Sequence, residues 1–483
     1  MKRIFKALPI IAILAGLLGS QPAWADDASG IEQRLNDLEQ QVAILKRQIE
    51  NTKEEAKAKS GDAPVITANS KDGFSIKSPD GNYSLKLGGY TQVVGREFAD
   101  NKKGDLGYAS SIIPRRVRLI ISGTVAHDFD YYVQPEFGYA NTYSAANGVV
   151  AASPSAYAVA LQDAWLDWKY FPQATIKVGK FKTPFDLENL QDTRYTAFTE
   201  LGLTSNLSPQ RDVGAQLSGS LFDDIVNYQA GIFDGSADKE NGYGGYSTGG
   251  DVNAKSGTGR IFIKPFKDTN IEPLKGLGVG YAASYGKAKG TDLPIYISPG
   301  QAPVFSYNTG VSVAGPQIRT SPQAYYYYKS LGILAEKVNS EEELQYTSGS
   351  GASARTIRDK PTNRAWEVTG SYVLTGEDAS YSGVTPRHDF NLSSGNFGAF
   401  ELVGRYGELK LNSSLFSENF ANLNTSISKE NTWGTGINWY LNRNVKLAAD
   451  FEQTKFRRGA VNGPDNQDRK TENLFTGLAQ LSF

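Results

Sequence analysis

The sequence predicts an all-β protein: a transmembrane antiparallel β-barrel of about sixteen strands, preceded by a short N-terminal coiled-coil helix. Three observations predict it: an export signal at the start, alternating apolar residues from about Tyr83 onward, and a last strand that ends in a C-terminal phenylalanine. The 483 residues include 50 Gly, 26 Tyr and 23 Phe, and the mean hydropathy is −0.40. This composition is typical of a barrel with an apolar outer face and a polar lumen.

Residues 1–25 predict a cleaved export signal. Lys2, Arg3 and Lys6 precede an apolar run over 7–18, and Ala-Trp-Ala follows as a small-x-small cleavage site. A retained anchor is the alternative, but the run is too short to span a bilayer comfortably. Without those three cations the chain has 47 basic and 51 acidic residues, so the mature net charge is about −4.

The composition also excludes several kinds of site. The chain has no cysteine, so it forms neither disulfides nor thiolate metal sites, and its two histidines lie in predicted turns. It contains neither G-x-S-x-G nor H-E-x-x-H, which disfavours an outer-membrane hydrolase. We therefore predict no enzyme, no metal, no cofactor and no nucleic-acid partner.

Residues 26–60 predict a coiled coil in the periplasm. From Ile31, apolar residues recur at spacings of four and three, and Arg34 at a g position faces Glu39 at the next e position. The stretch "RLNDLE" resembles a pattern associated with three-stranded coiled coils, which favours a homotrimer. A single amphipathic helix lying on a surface is the alternative. The residues predicted to support trimerisation are Leu35, Leu38, Val42, Leu45, Ile49, Arg34 and Glu39.

Residues 61–73 predict a linker, and 74–483 the barrel. Segments such as Trp433-Thr435-Ile437-Trp439-Leu441 alternate with small or polar residues, as strands with one apolar face do. Tight turns such as "AHDFDY" and "YLNRNV" alternate with long Gly/Ser/Asn/Ala-rich tracts, which is the layout of an outer-membrane barrel. The long tracts lie near residues 141–158, 234–257, 288–322, 338–362 and 457–471.

The C-terminal segment "NLFTGLAQLSF" places alternate apolar residues on one face and ends at Phe483. This pattern resembles the assembly signal of outer-membrane barrels. It implies recognition by the barrel assembly machinery, a location in the outer membrane of a Gram-negative bacterium, and contact with outer-membrane lipid. A buried C-terminal strand of a soluble sandwich is the alternative.

Two groups of cations fall where a lumen is expected. In "IIPRRVRLIISG" (112–123), alternation directs Arg116 and Arg118 into the lumen and the intervening Val117 toward lipid. Arg115 has the wrong parity unless the strand bulges after Pro114.

The second group lies in 178–214, where Lys180 and Lys182 precede a long connection that carries Arg194 and ends at Arg211. No turn chemistry explains the length of this connection, which in a barrel could fold inward and narrow the pore.

Several stretches, in order, resemble the phosphate-selective porin O/P family: "RRVRLIISG", "VGKFKTPFDLENL", "SPQRDVG", "TGEDASY", "FGAFELVGRYGELKLN" and "WGTGINWYLNRNVKL". The resemblance runs from about residue 74 to the C-terminus. It implies a trimeric sixteen-stranded barrel whose third loop folds inward to form an anion-attracting constriction. Position in the motifs carries over Arg115 and Arg116, and Lys182 and Arg194 on or beside the loop. Parity and proximity add Lys180, Arg118 and Arg211.

The expected function is passive diffusion of small anions, phosphate foremost, through this constriction. Arginine offers a rigid fork of donors to an oxyanion, and several such groups replace its hydration. One alternative is that the cations pair with lumen carboxylates such as Glu188, Glu200 or Asp212, which leaves a general small-solute porin. Only Arg211 and Arg260 occur between Arg194 and Arg319, so the further arginine ladder of phosphate-preferring members is missing. Another alternative is a barrel that tethers the cell envelope through its coiled coil.

Overall fold

The computed structural model describes residues 36–51, 63–69, 73–99, 110–139, 142–146, 149–153, 159–171, 173–238, 255–291, 293–349, 354–460 and 467–483. The predicted export signal (1–25) lies outside these residues. The chain divides into two compact units, 1–63 and 64–483. No helix within the described residues is both long enough and apolar enough to cross a membrane.

The described part of the first unit is one helix, α1 (36–51), and its residues are exposed. Arg34 and Leu35 of the predicted seam lie outside the described residues, whereas Glu39 lies on α1. The apolar seam residues on α1 keep about half of their surface exposed: Leu38, Val42, Leu45 and Ile49. The helix is therefore confirmed, and its association into a trimer stays a prediction.

The second unit is a closed antiparallel barrel of 16 strands. Its strands are β3 (Ser84–Ala99), β4 (Ser111–Val125), β5 (Phe129–Glu136), β8 (Ala160–Phe171), β9 (Ala174–Lys182), β10 (Arg211–Leu221), β11 (Val226–Phe233), β12 (Ser256–Ile263), β13 (Leu277–Gly290), β16 (Val311–Tyr328), β17 (Leu331–Ser348), β19 (Thr362–Val373), β20 (Ala399–Lys410), β21 (Ile427–Tyr440), β22 (Val445–Arg458) and β23 (Glu472–Ser482).

The shorter elements are not strands of the barrel wall: β1 (Val65–Asn69), β2 (Gly73–Lys77), β6 (Thr142–Ala146), β7 (Val149–Ser153), β14 (Tyr296–Ile297), β15 (Pro303–Phe305), β18 (Arg355–Asp359), α2 (Leu187–Leu190) and α3 (Ser414–Ser417). Three 3-10 turns span Leu203–Leu207, Glu272–Leu274 and Leu392–Ser394.

The last strand closes the barrel. β23 pairs with β3 along ten positions, from Asn473↔Ala99 to Ser482↔Tyr90. Phe483 then exchanges two backbone hydrogen bonds with Gly89, of 2.9 and 3.0 Å. A Cβ on Gly89 would lie 2.6 Å from the Arg118 carbonyl oxygen and 3.0 Å from the Phe483 ring, so the closure requires glycine.

The linker prediction for 61–73 is wrong in part. β1 and the start of β2 lie inside it, and the two strands form an antiparallel hairpin in which Asn69 pairs with Gly73. β2 in turn pairs with the first residues of β3, as Phe74↔Leu87. Strands of five residues carry little alternation, and this hairpin depends on a free edge of β3 that a linear pattern does not reveal.

The alternation predicted for the barrel wall is confirmed. On β21, Trp433 and Ile437 are exposed on the outer face, whereas Thr432 and Asn438 are buried. On β22, Lys446, Asp450 and Glu452 are buried on the lumen side, opposite the apolar outer residues. Each charge in this lumen therefore needs a partner inside the barrel.

The connections depart from the predicted layout in two ways. The side of tight turns includes two longer connections, 264–276 and 374–398; in the second, Ala379 and Val384 pack against Val373, Ala399 and Tyr440. The tracts near 288–322 and 338–362 are shorter than predicted, because β13 extends to 290, β16 begins at 311 and β17 extends to 348. Backbone pairing continues through small and polar residues there, since a ladder does not require apolar side chains.

Candidate functional site

The connection between β9 and β10, loop 3 (183–210), folds into the lumen, as its unexplained length predicted. Its short helix α2 is capped by Asp186, whose carboxylate accepts from the Asn189 amide at 2.7 Å. Carboxylates of the lumen accept hydrogen bonds from other backbone amides of loop 3: Glu336 accepts from the Leu187 amide at 2.9 Å, and Glu367 accepts from the Leu203 amide at 3.0 Å. A loop inside a barrel is stable only when its backbone groups find such partners.

Two further segments hold loop 3 in place. In the connection between β13 and β16 (291–310), the Ile297 backbone exchanges two hydrogen bonds with the Asn206 side chain, of 2.9 and 3.0 Å. From the other end of the barrel, connection 374–398 reaches loop 3 through Tyr381. The Tyr381 hydroxyl donates to the Leu187 carbonyl at 2.5 Å, and Gln191 Nε2 donates to the Tyr381 carbonyl at 2.7 Å.

Three arginines converge on one carboxylate of loop 3. Glu200 contacts Arg115 Nε at 2.6 Å, Arg116 Nη2 at 2.9 Å and Arg96 Nη2 at 3.2 Å. Burial alone would raise the pKa of Glu200, but these guanidinium groups outweigh it and hold the pKa well below its ordinary value. Three guanidinium groups therefore surround this one carboxylate of loop 3.

Arg115 reaches this cluster because β4 bulges. The register runs from Gln92↔Arg116 to Val93↔Pro114, so Arg115 is the extra residue. From the sequence, Arg115 could face the lumen only if the strand bulged after Pro114, and the structure contains that bulge. Arg96 was not predicted. The sequence gives one indication of its position: it shares the parity of Gln92, although the other buried residues of β3 on that face are apolar.

Two other predicted arginines are paired one to one. Arg118 Nε contacts Glu136 at 2.6 Å, and its Nη1 donates to the Tyr90 hydroxyl at 2.6 Å. Arg211 Nη2 contacts Asp163 at 3.1 Å. Both guanidinium groups are buried, and each is locally neutralised.

Lys182 and Arg194 make their polar contacts with loop 3 itself. Lys182 Nζ donates to the Gln191 carbonyl at 2.7 Å, and no carboxylate within the described residues lies at ion-pair distance from it. Arg194 contacts Asp192 at 2.7 Å. Burial opposes ionisation of Asp192, but hydrogen bonding and the charge of Arg194 lower its pKa.

The strand register of β9 does not bring Lys180 to the cations around loop 3. Lys180 pairs across the sheet with Ala164 and Val213, and Val213 is 53% exposed on the outer face. Asp212, considered as a partner for the cations, instead accepts from the Val213 and Gly235 amides at 2.7 and 2.9 Å. Of the carboxylates considered, only Glu200 meets the predicted β4 arginines.

A second charge cluster, on the nearby strands β20 and β22, has the reverse ratio, and it adjoins the first because Arg405 Nη1 donates to the Glu200 carbonyl at 3.0 Å. Arg405 on β20 contacts Glu452 at 2.5 Å, Glu188 at 3.5 Å and Glu367 at 3.9 Å. Burial and the neighbouring Glu367 raise the pKa of Glu188 well above its ordinary value. Arg405 was missed in the sequence, although the parity argument that selects Arg116 also selects it, because its neighbour Tyr406 is exposed on the outer face.

Two cavities lie beside the basic side of loop 3. One of about 120 Å³ is lined by Arg115, Arg116 and Glu200, and one of about 270 Å³ by Tyr90, Lys177 and Lys182. Both touch Arg118, Thr193 and Arg211, which therefore form the neck between them. A cavity beside Glu188 and Glu401 on the acidic side measures about 30 Å³, room for one or two waters.

Comparison with known proteins agrees with this architecture. The model of the family "phosphate-selective porin O and P" matches residues 90–483. Porin O of Pseudomonas aeruginosa is 23% identical over 430 residues, which cover 84% of this chain and 90% of that protein. The crystal structure of the outer-membrane channel DcaP of Acinetobacter baumannii has a TM-score of 0.51 at 11% identity, with 84% of this chain and 99% of that chain covered.

Proposed function

The chain belongs to the phosphate-selective porin O/P family, and we propose that small anions, phosphate foremost, diffuse along the basic side of its loop 3. Family and fold support a channel of the Gram-negative outer membrane rather than an enzyme. The proposed constriction is formed by Arg115, Arg116, Arg118, Lys182, Arg194 and Arg211. Lys180 is the weakest member of the predicted set, because its cross-strand neighbour Val213 lies on the outer face.

One observation carries this proposal: the two cavities beside loop 3 meet at Arg118 and Arg211, next to three guanidinium groups that share Glu200. An anion that enters either cavity faces more cationic than anionic groups. In surroundings less polar than water each of these charges acts over a longer distance. The lumen therefore favours an anion on this side even though the whole chain is slightly acidic.

The chemistry suits passage rather than storage. Guanidinium groups replace the hydration of an oxyanion with directed donors. Because Glu200, Glu136 and Asp163 already occupy part of that donor capacity, each site binds an anion with moderate strength. A chain of moderate sites lets a solute leave as readily as it enters.

A general porin with weak selectivity is the second candidate, and a specific observation favours it. Arg118, Arg194 and Arg211 each have a carboxylate partner within 3.1 Å. If those pairs persist during conduction, attraction of anions depends on Lys182 and on the arginines around Glu200. Selectivity then falls to the level of a few uncompensated charges.

The proposed assembly is a homotrimer. Its three α1 helices would associate in the periplasm through the exposed seam residues, and each barrel would conduct separately. β23, which ends in Phe483, would be recognised by the barrel assembly machinery, and the exposed apolar wall would contact lipid. The tether alternative is distinguished by deletion of 26–60, because a porin keeps its conductance without that segment and a tether loses its function.

The decisive test is the reversal potential of the purified protein in a planar bilayer under a KCl gradient, followed by addition of phosphate. We expect anion selectivity and a block of chloride current by phosphate, both weakened in Arg118→Gln and Lys182→Gln. Arg443→Gln is the matched control, since it removes one exposed cation from a tight turn outside the lumen. An unselective or cation-selective pore that ignores phosphate would overturn the anion proposal and leave the general porin.

A further inference from the structure

Four cations form a continuous row across the barrel wall. On the consecutive strands β19 to β22, Arg364 pairs with Lys410, Lys410 with Lys429, and Lys429 with Arg457. Like charges directly opposite each other destabilise a sheet. The row is therefore a costly arrangement that strand pairing does not explain.

The row lies on the outer face and not in the lumen. Arg364 alternates with buried Ala365, and Lys410 with buried Leu409, while the exposed Trp366 and Tyr406 share the parity of the cations. The row is thus part of the surface that carries the exposed aromatic side chains. It is separated by the wall from the cavities at loop 3.

Its height on the wall is that of a membrane interface. The register places Val368, Tyr406, Trp433 and Gln453 in one row, and the cations two rows farther toward the long loops. Each cation is four residues from the aromatic row, so at about 3.4 Å per residue the separation is roughly 14 Å along the strand. Because strands of such barrels are tilted by about 40°, this corresponds to roughly 10 Å along the barrel axis. Aromatic girdles mark the edges of the apolar band in such barrels, and the long loops face the cell exterior. The cations therefore lie at the level of the outer-leaflet headgroups.

The protein supplies little negative charge to this row. Glu408 contacts Lys429 at 2.8 Å, and Arg364, Lys410 and Arg457 have no carboxylate at ion-pair distance in the part of the chain that the structure describes. A cavity of about 760 Å³ adjoins the row, and Arg458, Phe416 and Leu423 also line it. The site thus combines a cationic surface, room for a headgroup and two apolar side chains.

We propose that this row binds the phosphate groups of an anionic glycolipid in the outer leaflet. Basic residues just outside the apolar band attract anionic headgroups. A lipid brings its phosphates to this height on the wall, whereas a solute on its way to loop 3 passes on the other side of the strands. The inference rests on the outer-membrane location and not on the selectivity of the pore.

The test is native mass spectrometry of the full-length protein in detergent, titrated with diphosphorylated lipid A or with the same lipid lacking both phosphates. We expect preferential retention of the phosphorylated form. Lys410→Gln/Lys429→Gln weakens it about thirty-fold, because each lysine near an anionic surface contributes roughly 1 kcal/mol. Lys287→Gln/Lys289→Gln is the matched control: it removes two exposed lysines of β13 that pair with Pro316 and Ala314 rather than with other cations.

Four results would overturn the proposal. Equal retention of the two lipids, or an unchanged affinity in the row variant, would show that these cations do not recognise lipid phosphate. If inorganic phosphate, added at the same total negative charge as the lipid, displaces the lipid, the site would be assigned to a free anion. A change in the number of associated chains in the row variant would assign the row to contact with a second copy. Wild-type conductance of the same variant separates all four from the proposed function.

Discussion

The two walls that face loop 3 have similar ion pairs but opposite ratios of cations to anions around the central group. On the basic wall, Arg96, Arg115 and Arg116 all contact the carboxylate of Glu200. On the acidic wall, Arg405 is the single cation within 3.9 Å of Glu188, Glu367 and Glu452 among the described residues. Counted by ion pairs the walls look alike, and the difference appears only in the ratio of cations to anions around each central group.

This difference shows why net charge does not predict the selectivity of a lumen. The mature chain is slightly acidic, yet the larger cavities adjoin the basic wall, and the cavity on the acidic wall has room for one or two waters. Loop 3 is held on both sides: Glu336 and Glu367 accept its backbone amides on the acidic wall, and Arg116 on the basic wall donates to the Thr199 carbonyl at 3.2 Å. The basic wall thus both positions the loop and lines the cavities that admit a solute.

The largest expected effect comes from removal of the central cation of the acidic wall. Arg405→Gln leaves three buried carboxylates without it, and breaking such a cluster costs about 3–5 kcal/mol. We expect a marked fall in the unfolding temperature of the folded barrel, measured by circular dichroism. Arg443→Gln, an exposed turn substitution, serves as the control. Equal stability of the two variants would mean that the acidic wall does not depend on Arg405.

The corresponding change on the basic wall is Glu200→Gln, with a smaller expected cost of roughly 2–3 kcal/mol at neutral pH, since three charge-assisted contacts weaken. The folded-state pKa of Glu200 lies below the ordinary value of 4.5, so its stabilisation is present above about pH 4.5 and is lost as the pH falls further. The stability difference between wild type and variant should therefore narrow below pH 4.5. A difference that is constant with pH would contradict the assignment of Glu200 as the shared anion.

Tyr381→Phe sharpens the comparison by testing what holds loop 3. It removes only the hydroxyl that donates to the Leu187 carbonyl, a loss of about 1 kcal/mol. We expect a small fall in stability and increased current noise in single-channel recordings, because loop 3 is less firmly held. Tyr228→Phe is the matched control, since it removes a hydroxyl that donates to the Gln173 carbonyl at 2.7 Å far from the loop. Noise raised equally in both variants would remove Tyr381 from this role.

The smallest expected effect is a shift in selectivity from the acidic wall. Because the pKa of Glu188 is raised, this group takes up a proton above its ordinary value of 4.5 as the pH falls, and the acidic surplus decreases. The change amounts to roughly half a kcal/mol for an anion about one Debye length away. We expect the reversal potential to move toward anion selectivity on acidification above pH 4.5, and to move less in Glu188→Gln. A shift that persists in Glu188→Gln must come from another group.

Much of the fold was predictable because a barrel wall repeats one simple rule. Every strand separates lipid from water, so alternation appears in strand after strand, and Phe483 ends the last one. The hairpin of β1 and β2 and the long connection 374–398 were not predictable in this way. Both are stabilised by pairing or packing with residues distant in the sequence, such as Leu87 and Tyr440.

About half of the candidate site could be predicted from the sequence. Parity and the length of loop 3 located Arg116, Arg118 and the inward fold, and the bulge at Arg115 satisfied a condition stated for it. The partners were not predictable: Arg115 meets Glu200 across 85 positions, and Arg405 meets Glu188 across more than two hundred. Lys180 illustrates the same limit, because its face depends on the register with Val213.

The sequence by itself determined the barrel, its polar lumen, the membrane-facing side of its strands and the presence of a loop too long to be a turn. These features follow from local periodicity, which the solvent on each face imposes along a single strand. Only the tertiary structure decided which charges share a partner, how the two walls hold loop 3 and which wall adjoins the open space. Those outcomes depend on distances between strands far apart in the chain, and the electrostatic energy of a buried charge is set by those distances.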